Sequence, residues 1–364
     1  MLEKSTIYEV ARRSGVSTAT VSRVMRSGSG FSEPTRQRVL KAAGELGWVP
    51  NGSARGLAER RAGIVGLLFP DLGKEADAEN ESALFLDQVI RGAERAATLA
   101  GDAVLIAATS GAAGRELARS VAGKVDGLVV TARSLSGPDL TAIGRSVPIV
   151  VIASHTARRK FDLVCSDNHG GAQAVTGHLI EVHDHRELAF IAGPAGSPDS
   201  DQRFAGFCQA LRTAGLPVPA DPLARGDFTE AGGERAMRAV LNRDNRLPRG
   251  LVFGNDEMAI GALSVLREYR IRIPSELAIT GFDDIASARH LVPSLTTVRQ
   301  PMRELGEAAV RMLLDRLRDP DSARQTLVLP TSLSVRRSCG CTARTSSART
   351  SSARINKTHS RRTS

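Results

Sequence analysis

The sequence lacks any run of about 18 apolar residues, the length that a helix needs to cross a membrane. Its first five residues also lack the apolar core of a secretory signal peptide. We therefore expect a cytoplasmic chain with no membrane partner. The four cysteines are too few and too scattered for a disulfide framework, which excludes the small disulfide-stabilised secreted folds.

The cysteines and histidines form no metal motif along the chain. Cys165 and Cys208 lie in apolar, periodic stretches, which predicts buried thiols. The Cys-Gly-Cys motif at 339–341 is a poor zinc site without a second pair of ligands. The His-Asp-His motif at 183–185 places two histidines at i and i+2, which do not share a face, and we interpret it as a solvated turn. No metal or cofactor is therefore expected.

The charge of the chain is unevenly distributed. At about 150 residues per domain, 364 residues suggest two or three domains. The net charge of +10 divides into +6 on residues 1–62, −4 on residues 63–335 and +8 on residues 336–364. A basic head and a basic tail around a mildly acidic body indicate a polyanionic partner that binds at the ends.

Residues 1–50 have the spacing of three short helices. Thr6 and Glu9 form a capping box, which predicts that a helix begins at residue 7, and Gly15 ends it. Ser17 then caps a second helix, and a third is predicted from 32–34 to about residue 46.

The second predicted helix has two different faces. Its core face carries Val21, Val24 and Met25. The opposite face is small, hydroxylic and basic, and it carries Thr18, Ala19, Ser22, Arg23 and Arg26. Such a face is suited to the major groove of DNA, where arginine can bind guanine. The alternative is an amphipathic helix that only packs, but three helices with a charge of +6 favour DNA binding.

Residues 51–62 are predicted to be a hinge. Asn51 can cap a short helix over about 53–58, whose one large apolar side chain is Leu57. So short a helix is unstable alone because nucleation is costly, and we expect it to form on DNA. Leu57 is then suited to wedge between base steps in the minor groove. The alternative is a plain linker with an incidental leucine.

The head and hinge closely resemble the lactose/galactose repressor (LacI/GalR) family. The resemblance covers essentially residues 5–341. In the head it is carried by the strings TIYEVA at 6–11, GVSTATVSRV at 15–24, TRQRV at 35–39 and PN…ARGL at 50–57.

The resemblance implies that Thr18, Ala19 and Arg23 read bases and that Leu57 is the minor-groove wedge. Ala19 could offer only an apolar contact. The candidate DNA-binding residues are Thr6, Ser17, Thr18, Ala19, Thr20, Ser22, Arg23, Asn51, Ala54, Arg55 and Leu57.

The body, residues 63–335, alternates short apolar runs with helical stretches, which predicts parallel sheets covered by helices. Strands are expected at 64–69, 103–108, 127–130, 148–152, 188–192, 250–253, 277–280 and 326–334. Helices are expected at about 83–100, 170–183, 202–214, 229–241, 257–269 and 302–318. The pattern restarts near 161–168, which indicates two similar lobes, with a crossover at 293–301. The expected fold is an all-α helix-turn-helix head joined to a two-lobed α/β body with parallel sheets, like a periplasmic binding protein.

Polar residues stand at the ends of several predicted strands. Ligands of open α/β sheets bind beyond the carboxyl ends of the strands, which here is the cleft between the lobes. The residues at these ends are Asp71, Asp167, Asn168, Asn255, Asp256, Asp283 and Asp284, and Arg203 opens a helix. Paired carboxylates can perform acid–base chemistry or accept hydrogen bonds from sugar hydroxyls. Each residue alone could equally be a structural cap, but the set, without a nucleophile–base pair, favours binding.

The resemblance extends to the body through GP…RxxGF at 193–207, GNDxMA at 254–259 and GFDD at 281–284. It implies effector roles for Arg203, Asn255 and Asp283, and a homodimer or dimer of dimers. Phe228 stands where the family places an aromatic that stacks on the ligand.

The loop after Asp71 departs from the family. It is longer and acidic, and 83–86 replaces a motif of the Asn-Pro-Phe-Phe type, leaving Phe85 as the matching aromatic. The candidate effector-binding residues are Asp71, Phe85, Asp167, Arg203, Phe228, Asn255 and Asp283.

Residues 336–364 are rich in Ser, Thr and Arg without apolar periodicity, and we expect a disordered tail. It either adds non-specific phosphate affinity or has no effect.

The sequence favours a DNA-binding repressor of carbohydrate-utilisation genes, with a sugar as the expected effector. A dimer would bind a pseudo-palindromic double-stranded operator, and a ligand in the cleft would separate the hinges. A free-standing sugar-binding or transport protein is a second class, against which the intact head and the missing signal peptide argue. An α/β enzyme is a third, for which the sequence shows neither a nucleophile–base pair nor a Gly-x4-Gly-Lys phosphate loop.

Overall fold

The computed structural model describes residues 5–27, 31–49, 61–70, 82–109, 111–131, 133–152, 160–243 and 246–342. The head consists of three helices, α1 (Ile7–Ser14), α2 (Thr18–Ser27) and α3 (Glu33–Glu45). One valine from each helix is wholly buried where they meet, namely Val10, Val21 and Val39. The predicted core face of α2 therefore packs inward.

The ends of the head helices follow the predicted capping residues. The Thr6 backbone N–H donates to the Glu9 carboxylate at 2.6 Å, and the Glu9 N–H donates to Thr6 Oγ1 at 3.4 Å. Gly15 ends α1 with φ 68°, a conformation that costs glycine little. The Ser17 hydroxyl accepts the Thr20 N–H at 3.2 Å at the start of α2.

The first lobe is built on a six-stranded sheet in which every pair of neighbouring strands is parallel. In spatial order the strands are β11 (Thr326–Leu329), β5 (Asp162–Ser166), β4 (Ile149–Ile152), β3 (Gly127–Thr131), β1 (Ile64–Pro70) and β2 (Ala103–Thr109). Helices α4 (Ser82–Ala100) and α11 (Met302–Arg318) cover one face, and α5 (Gly111–Ala122) and α6 (Gly137–Ile143) cover the other. Because both faces are covered, the central strands are continuous apolar runs rather than alternating ones.

The second lobe has a four-stranded parallel sheet. Its spatial order is β7 (Ala224–Arg225), β6 (Leu188–Ala192), β8 (Gly250–Phe253) and β9 (Ala278–Thr280). Helices α7 (Asn168–His183) and α8 (Pro198–Thr213) pack on one face. Helices α9 (Glu230–Leu241) and α10 (Asp256–Glu268) pack on the other. The two expected lobes are therefore both α/β layers.

The chain crosses between the lobes three times. It crosses from β5 to α7 at Asp167, and it returns between β10 (Thr297–Arg299) and α11, within the crossover predicted at 293–301. It crosses again between β11 and β12 (Ser332–Ser334), which pairs antiparallel with β10.

One sequence prediction about these crossovers is wrong. The single strand expected at 326–334 is two strands in different sheets, separated at Pro330, which has no N–H for a sheet ladder. The restart of the pattern near 161–168 spans the first crossover at Asp167, with β5 still in the first sheet, where it pairs with β4 and β11.

Residues 336–342, which the sequence analysis assigns to the disordered tail, fold against the second lobe. Ser338 is wholly buried, and its hydroxyl donates to the Ile279 carbonyl at 2.7 Å. The Arg336 guanidinium donates to the Asp284 carboxylate. The rest of the predicted tail, 343–364, lies outside the described residues. No helix in the described ranges is long and apolar enough to span a membrane.

Candidate functional site

The predicted groove-facing side of α2 lies on the surface of the head. Ala19 and Arg23 are exposed and Thr18 is half-buried, while Val21 and Val24 on the other side are buried. Thr6 and Ser17 are exposed, and Thr20 and Ser22 are half-buried. Small side chains at 18 and 19 leave the helix free to approach another surface closely.

Aromatic residues flank this surface. The Arg23 guanidinium carbon lies 5.7 Å from the centre of the Phe31 ring, which orients the side chain beside the outer face of α2. Tyr8 on α1 is 74% exposed, and the sequence analysis does not assign it. An exposed aromatic with a hydroxyl on the basic head is suited to phosphate contact. Its position on the polar side of α1 is the sequence feature that could have indicated this role.

Five of the candidate residues lie outside the described residues. They are Asn51, Ala54, Arg55 and Leu57 of the hinge, and Asp71 after β1. The structure does describe the residues that join the hinge to the body, and hydrogen bonds fix their backbone. The Asp126 carboxylate accepts backbone N–H groups from Ala62 at 2.5 Å, Gly63 at 2.8 Å and Ile64 at 3.3 Å.

Arg203 is the centre of a buried polar cluster beyond the carboxyl ends of β6, β8 and β9. Its Nε donates to Asn168 Oδ1 at 2.8 Å, and its Nη1 donates to the Gly254 carbonyl at 2.6 Å. The same Nη1 lies 3.5 Å from Asp283 Oδ1. The guanidinium stacks over Phe282, with 3.8 Å from its carbon to the ring centre. The predicted Arg203 and Asp283 are therefore brought together.

Phe228 and Asn255 border the same cluster. The Arg203 guanidinium carbon lies 5.8 Å from the centre of the Phe228 ring. Asn255 donates from Nδ2 to the Phe228 carbonyl at 2.9 Å and caps α10 by accepting the Met258 N–H at 3.1 Å. Gly193 lies directly against the Phe228 ring, where any β-carbon would collide with it. The ring position is thus fixed by its neighbours.

A chain of hydrogen bonds leads from Asp283 to the first lobe. Gln300 Nε2 donates to Asp283 Oδ1 at 2.6 Å, and Gln300 Oε1 accepts the Ser166 hydroxyl at 2.9 Å. Ser166 ends β5, just before the first crossover, and Gln300 lies in the second. Neither residue is a candidate from the sequence, because neither stands at the end of a predicted strand of the second lobe. Asp283 has φ 129°, a strained conformation for a residue with a side chain.

Three carboxyl groups in and around the cluster hold protons more tightly than usual. Burial raises the pKa of Asp283 to about 6, although the neighbouring Arg203 opposes the rise. Burial also raises the pKa of Asp199 to about 6, again against Arg203, and Asp199 accepts a hydrogen bond from Asn168. Burial and the charge of Asp283 raise the pKa of Asp256 to about 7. One cation among these carboxyl groups makes their ionisation sensitive to what binds beside them.

The remaining candidates border the cluster without joining it. Asp167 caps α7 by accepting the Gly170 N–H at 2.8 Å, and it precedes Asn168, which contacts Arg203 directly. Its observed role is therefore that of a structural cap. Phe85, in the first turn of α4, packs against the cores of both lobes. It therefore touches both walls of the region between the lobes.

A cavity lies beside this cluster rather than over it. It has a volume of about 800 Å³, within the range of small-molecule sites. Its lining includes Thr131, Arg133, Arg145 and Lys160 of the first lobe and Gly196 and Pro198 of the second. Pro198 begins the helix that carries Arg203, so the cavity and the cluster share one wall.

The cluster combines hydrogen-bond donors, acceptors and an aromatic face. It offers a guanidinium, two amides and carboxyl groups, with an aromatic ring at its edge. Two nearby hydroxyls are engaged in the structure, since Ser166 donates to Gln300 and Ser200 accepts the Gly193 N–H at 2.9 Å. Two histidines and two cysteines gather at the far end of α7, about 22 Å along the helix from Asn168.

Two family models match the chain. Residues 6–51 match the bacterial regulatory proteins of the lacI family, and residues 176–339 match the periplasmic binding protein-like domain. The HTH-type transcriptional repressor PurR of Klebsiella pneumoniae is 32% identical over 343 residues, covering 92% of this chain and 96% of that protein.

Solved structures agree with the family models. The lac repressor dimer bound to operator and the anti-inducer ONPF aligns with a TM-score of 0.78 at 27% identity, over 93% of this chain and 99% of that one. The transcriptional regulator CelR in complex with cellobiose aligns with a TM-score of 0.69 at 32% identity, over 92% and 100%. The predicted combination of a helix-turn-helix head and a two-lobed α/β body is therefore confirmed.

Proposed function

Because the chain belongs to the LacI family of bacterial regulatory proteins, we propose that it represses carbohydrate-utilisation genes and leaves its operator when a sugar binds between its lobes. It is a DNA-binding transcriptional regulator with a ligand-binding body. We further propose that the ligand is a sugar, that the residues described below bind it, and that the protein does not convert it chemically. We also propose that the protein lies in the cytoplasm with its operator.

The observation that carries the proposal is the convergence of Arg203, Phe228, Asn255 and Asp283 beyond the second sheet, on a chain with a DNA-binding head. The guanidinium and amide donate while the carboxylate accepts, which matches hydroxyls that do both. The Phe228 ring supplies an apolar face for the carbon side of a sugar. The similarity to a regulator crystallised with cellobiose supports the same ligand class.

On DNA, we propose that α2 enters the major groove with Thr18, Ala19 and Arg23 towards base edges. Thr6, Ser17, Thr20 and Ser22 would bind the sugar–phosphate backbone. The hinge, with Asn51, Ala54 and Arg55, would enter the minor groove and insert Leu57 at the operator centre. These assignments fit the exposure of the outer face of α2.

We propose that two copies bind one pseudo-palindromic operator, as in the lac repressor dimer. Edge strand β2 and helix α5 of the first lobe expose apolar side chains, with Ile106 43% and Leu117 42% exposed. A second copy could cover such a face. A dimer of dimers would need a second interface, separate from this one.

The cluster is coupled to the hinge through the crossovers. A sugar that hydrogen-bonds Arg203 or Asp283 competes with the Gln300 link to Ser166, and so changes the angle between the lobes. The Asp126 carboxylate holds residues 62–64 on the first lobe, so that lobe's movement is transmitted to the hinge. The effector then shifts the population away from the DNA-bound state.

A thermal-shift screen of mono- and disaccharides, cellobiose included, on the purified full-length protein tests the ligand class. We expect at least one sugar to raise the Tm in proportion to the logarithm of its concentration. The exposed Arg212→Ala variant on the same helix should respond like wild type, and Arg203→Ala should not. A response only to ligands without hydroxyl groups, such as heterocyclic bases, would overturn the sugar assignment.

A further inference from the structure

Four metal-binding side chains that are far apart in the sequence meet at one end of the second lobe. They are His178 and His183 on α7, and Cys339 and Cys341 after β12. The potential ligand atoms all lie within 4.8 Å of one another. Considered separately, the Cys-Gly-Cys motif lacks a second ligand pair and the histidines suggest a turn. The fold brings the histidine pair and the cysteine pair together.

The distances match those around a tetrahedral zinc ion. Zn–S bonds of about 2.3 Å and Zn–N bonds of about 2.0–2.1 Å place sulfur and nitrogen roughly 3.5 Å apart at a tetrahedral angle. His178 Nε2 lies 3.4 Å from Cys339 Sγ and 3.5 Å from Cys341 Sγ. His183 Nε2 lies 3.3 Å from Cys341 Sγ. A cation at the centre would reach all four atoms with little movement.

The local backbone holds both pairs in place. Asp184 ends α7 with φ 51°, so the chain turns directly after His183. Gly340 has φ 110° and lies against the His183 ring, where a β-carbon would approach the imidazole to 3.2 Å. Glycine between the cysteines therefore lets the turn approach the histidine.

Further contacts support the sulfur and nitrogen ligands. The Thr296 hydroxyl donates to Cys339 Sγ at 3.1 Å, and the Cys341 backbone N–H donates to the same sulfur. Outer contacts of this kind orient ligands in metal sites. Cys339 and Cys341 are both buried, which protects them from solvent oxidants.

We propose that His178, His183, Cys339 and Cys341 bind one Zn²⁺ ion in a structural Cys₂His₂ site. Binding exchanges the two thiol protons, released to solvent, for two Zn–S bonds, while each imidazole contributes a nitrogen lone pair. The site is then electrically neutral, and four protein ligands close the coordination sphere, as in structural zinc sites. The ion fastens residues 336–341 to α7 and so anchors the strand β12 that follows the third crossover.

Metal analysis of the full-length protein tests this proposal, after purification without chelator and removal of any histidine tag. We expect one zinc per chain by plasma mass spectrometry. Co²⁺ exchanged for zinc should show the visible bands of tetrahedral cobalt and a thiolate charge-transfer band in the near ultraviolet. His183→Asn lies near the surface and should fold while losing most of the metal, as should Cys341→Ser.

Matched controls use residues of the same types outside the cluster. His290→Asn, on an exposed turn, and Cys208→Ala, in the core, should retain a full equivalent of zinc. Chelation should lower the Tm of wild type and of both controls, and leave that of His183→Asn unchanged. A metal-free protein with four titratable thiols, or a disulfide between Cys339 and Cys341, would overturn the proposal. So would a full equivalent of zinc in both ligand variants.

Discussion

Arg203→Ala is expected to lower the free energy of unfolding by about 3–5 kcal/mol, because it leaves Asp283 buried without its cation. The two side chains are only 6% and 8% exposed, so solvent screens their interaction little. The substitution also removes donors to Asn168 Oδ1 and the Gly254 carbonyl, neither of which can then reach water easily. At about 2–4 °C per kcal/mol, the expected fall in Tm is on the order of 10 °C.

The loss should depend on pH in a definite direction. Burial already raises the pKa of Asp283 to about 6, and removing the opposing Arg203 charge raises that pKa further. A carboxyl group whose pKa is higher in the folded than in the unfolded state destabilises the protein as pH rises through that interval. The difference between wild type and Arg203→Ala should therefore be smaller near pH 5.5 than near pH 8, where the variant must ionise Asp283 without a partner.

Urea unfolding of both proteins at these two pH values measures the effect. The exposed Arg212→Ala variant on the same helix should lose no more than about 0.5 kcal/mol. A loss below about 1 kcal/mol at pH 8, or a difference that shrinks as pH rises, would show that Arg203 does not stabilise a buried Asp283 carboxylate. Either result would mean that water already solvates the guanidinium and that the cluster is not a closed network.

Three further substitutions test other parts of the molecule. Burial raises the Asp256 pKa to about 7, so Asp256→Asn should flatten the fall in unfolding free energy between about pH 4 and pH 7. If the carboxyl were solvated, urea unfolding would show the same dependence of unfolding free energy on pH in the variant as in wild type. Gln300→Leu removes the link between Ser166 and Asp283 with which the sugar competes, so effector affinity should not fall while operator release weakens several-fold. Equal losses in both, by calorimetry and anisotropy, would argue against a relay. Leu57→Ala should weaken operator binding by roughly ten- to a hundred-fold and reduce bending in a gel-shift phasing assay, without altering effector affinity. Wild-type bending by Leu57→Ala would rule out the wedge.

Elements whose geometry is set by residues close together in the sequence were predicted correctly. The capping box at Thr6 and Glu9 and the turn at Gly15 were predicted because hydrogen bonds between near neighbours specify them. Strands such as β6 and β8 were predicted within a residue, since they are apolar runs buried on both faces. Helices α5 and α6 were not named, because the first is rich in Gly and Ala and the second is only seven residues long.

Long-range pairing was not accessible from the sequence. Nothing local shows that Pro330 separates strands belonging to different lobes, or that Gln300 bridges Asp283 and Ser166. In the cleft, Arg203, Phe228, Asn255 and Asp283 converge, whereas Asp167 caps a helix beside them. The histidine–cysteine cluster is the clearest example, since more than 150 residues separate its two halves.

If occupancy of the cleft controls the head, operator affinity should differ with and without the effector. A duplex selected from random sequences by the protein itself, labelled with fluorescein, would be titrated with the full-length chain by anisotropy. A sugar identified by thermal shift should weaken operator binding about 5- to 150-fold in wild type and leave Arg203→Ala unaffected. The same operator affinity for wild type in the presence and absence of saturating sugar would contradict that expectation.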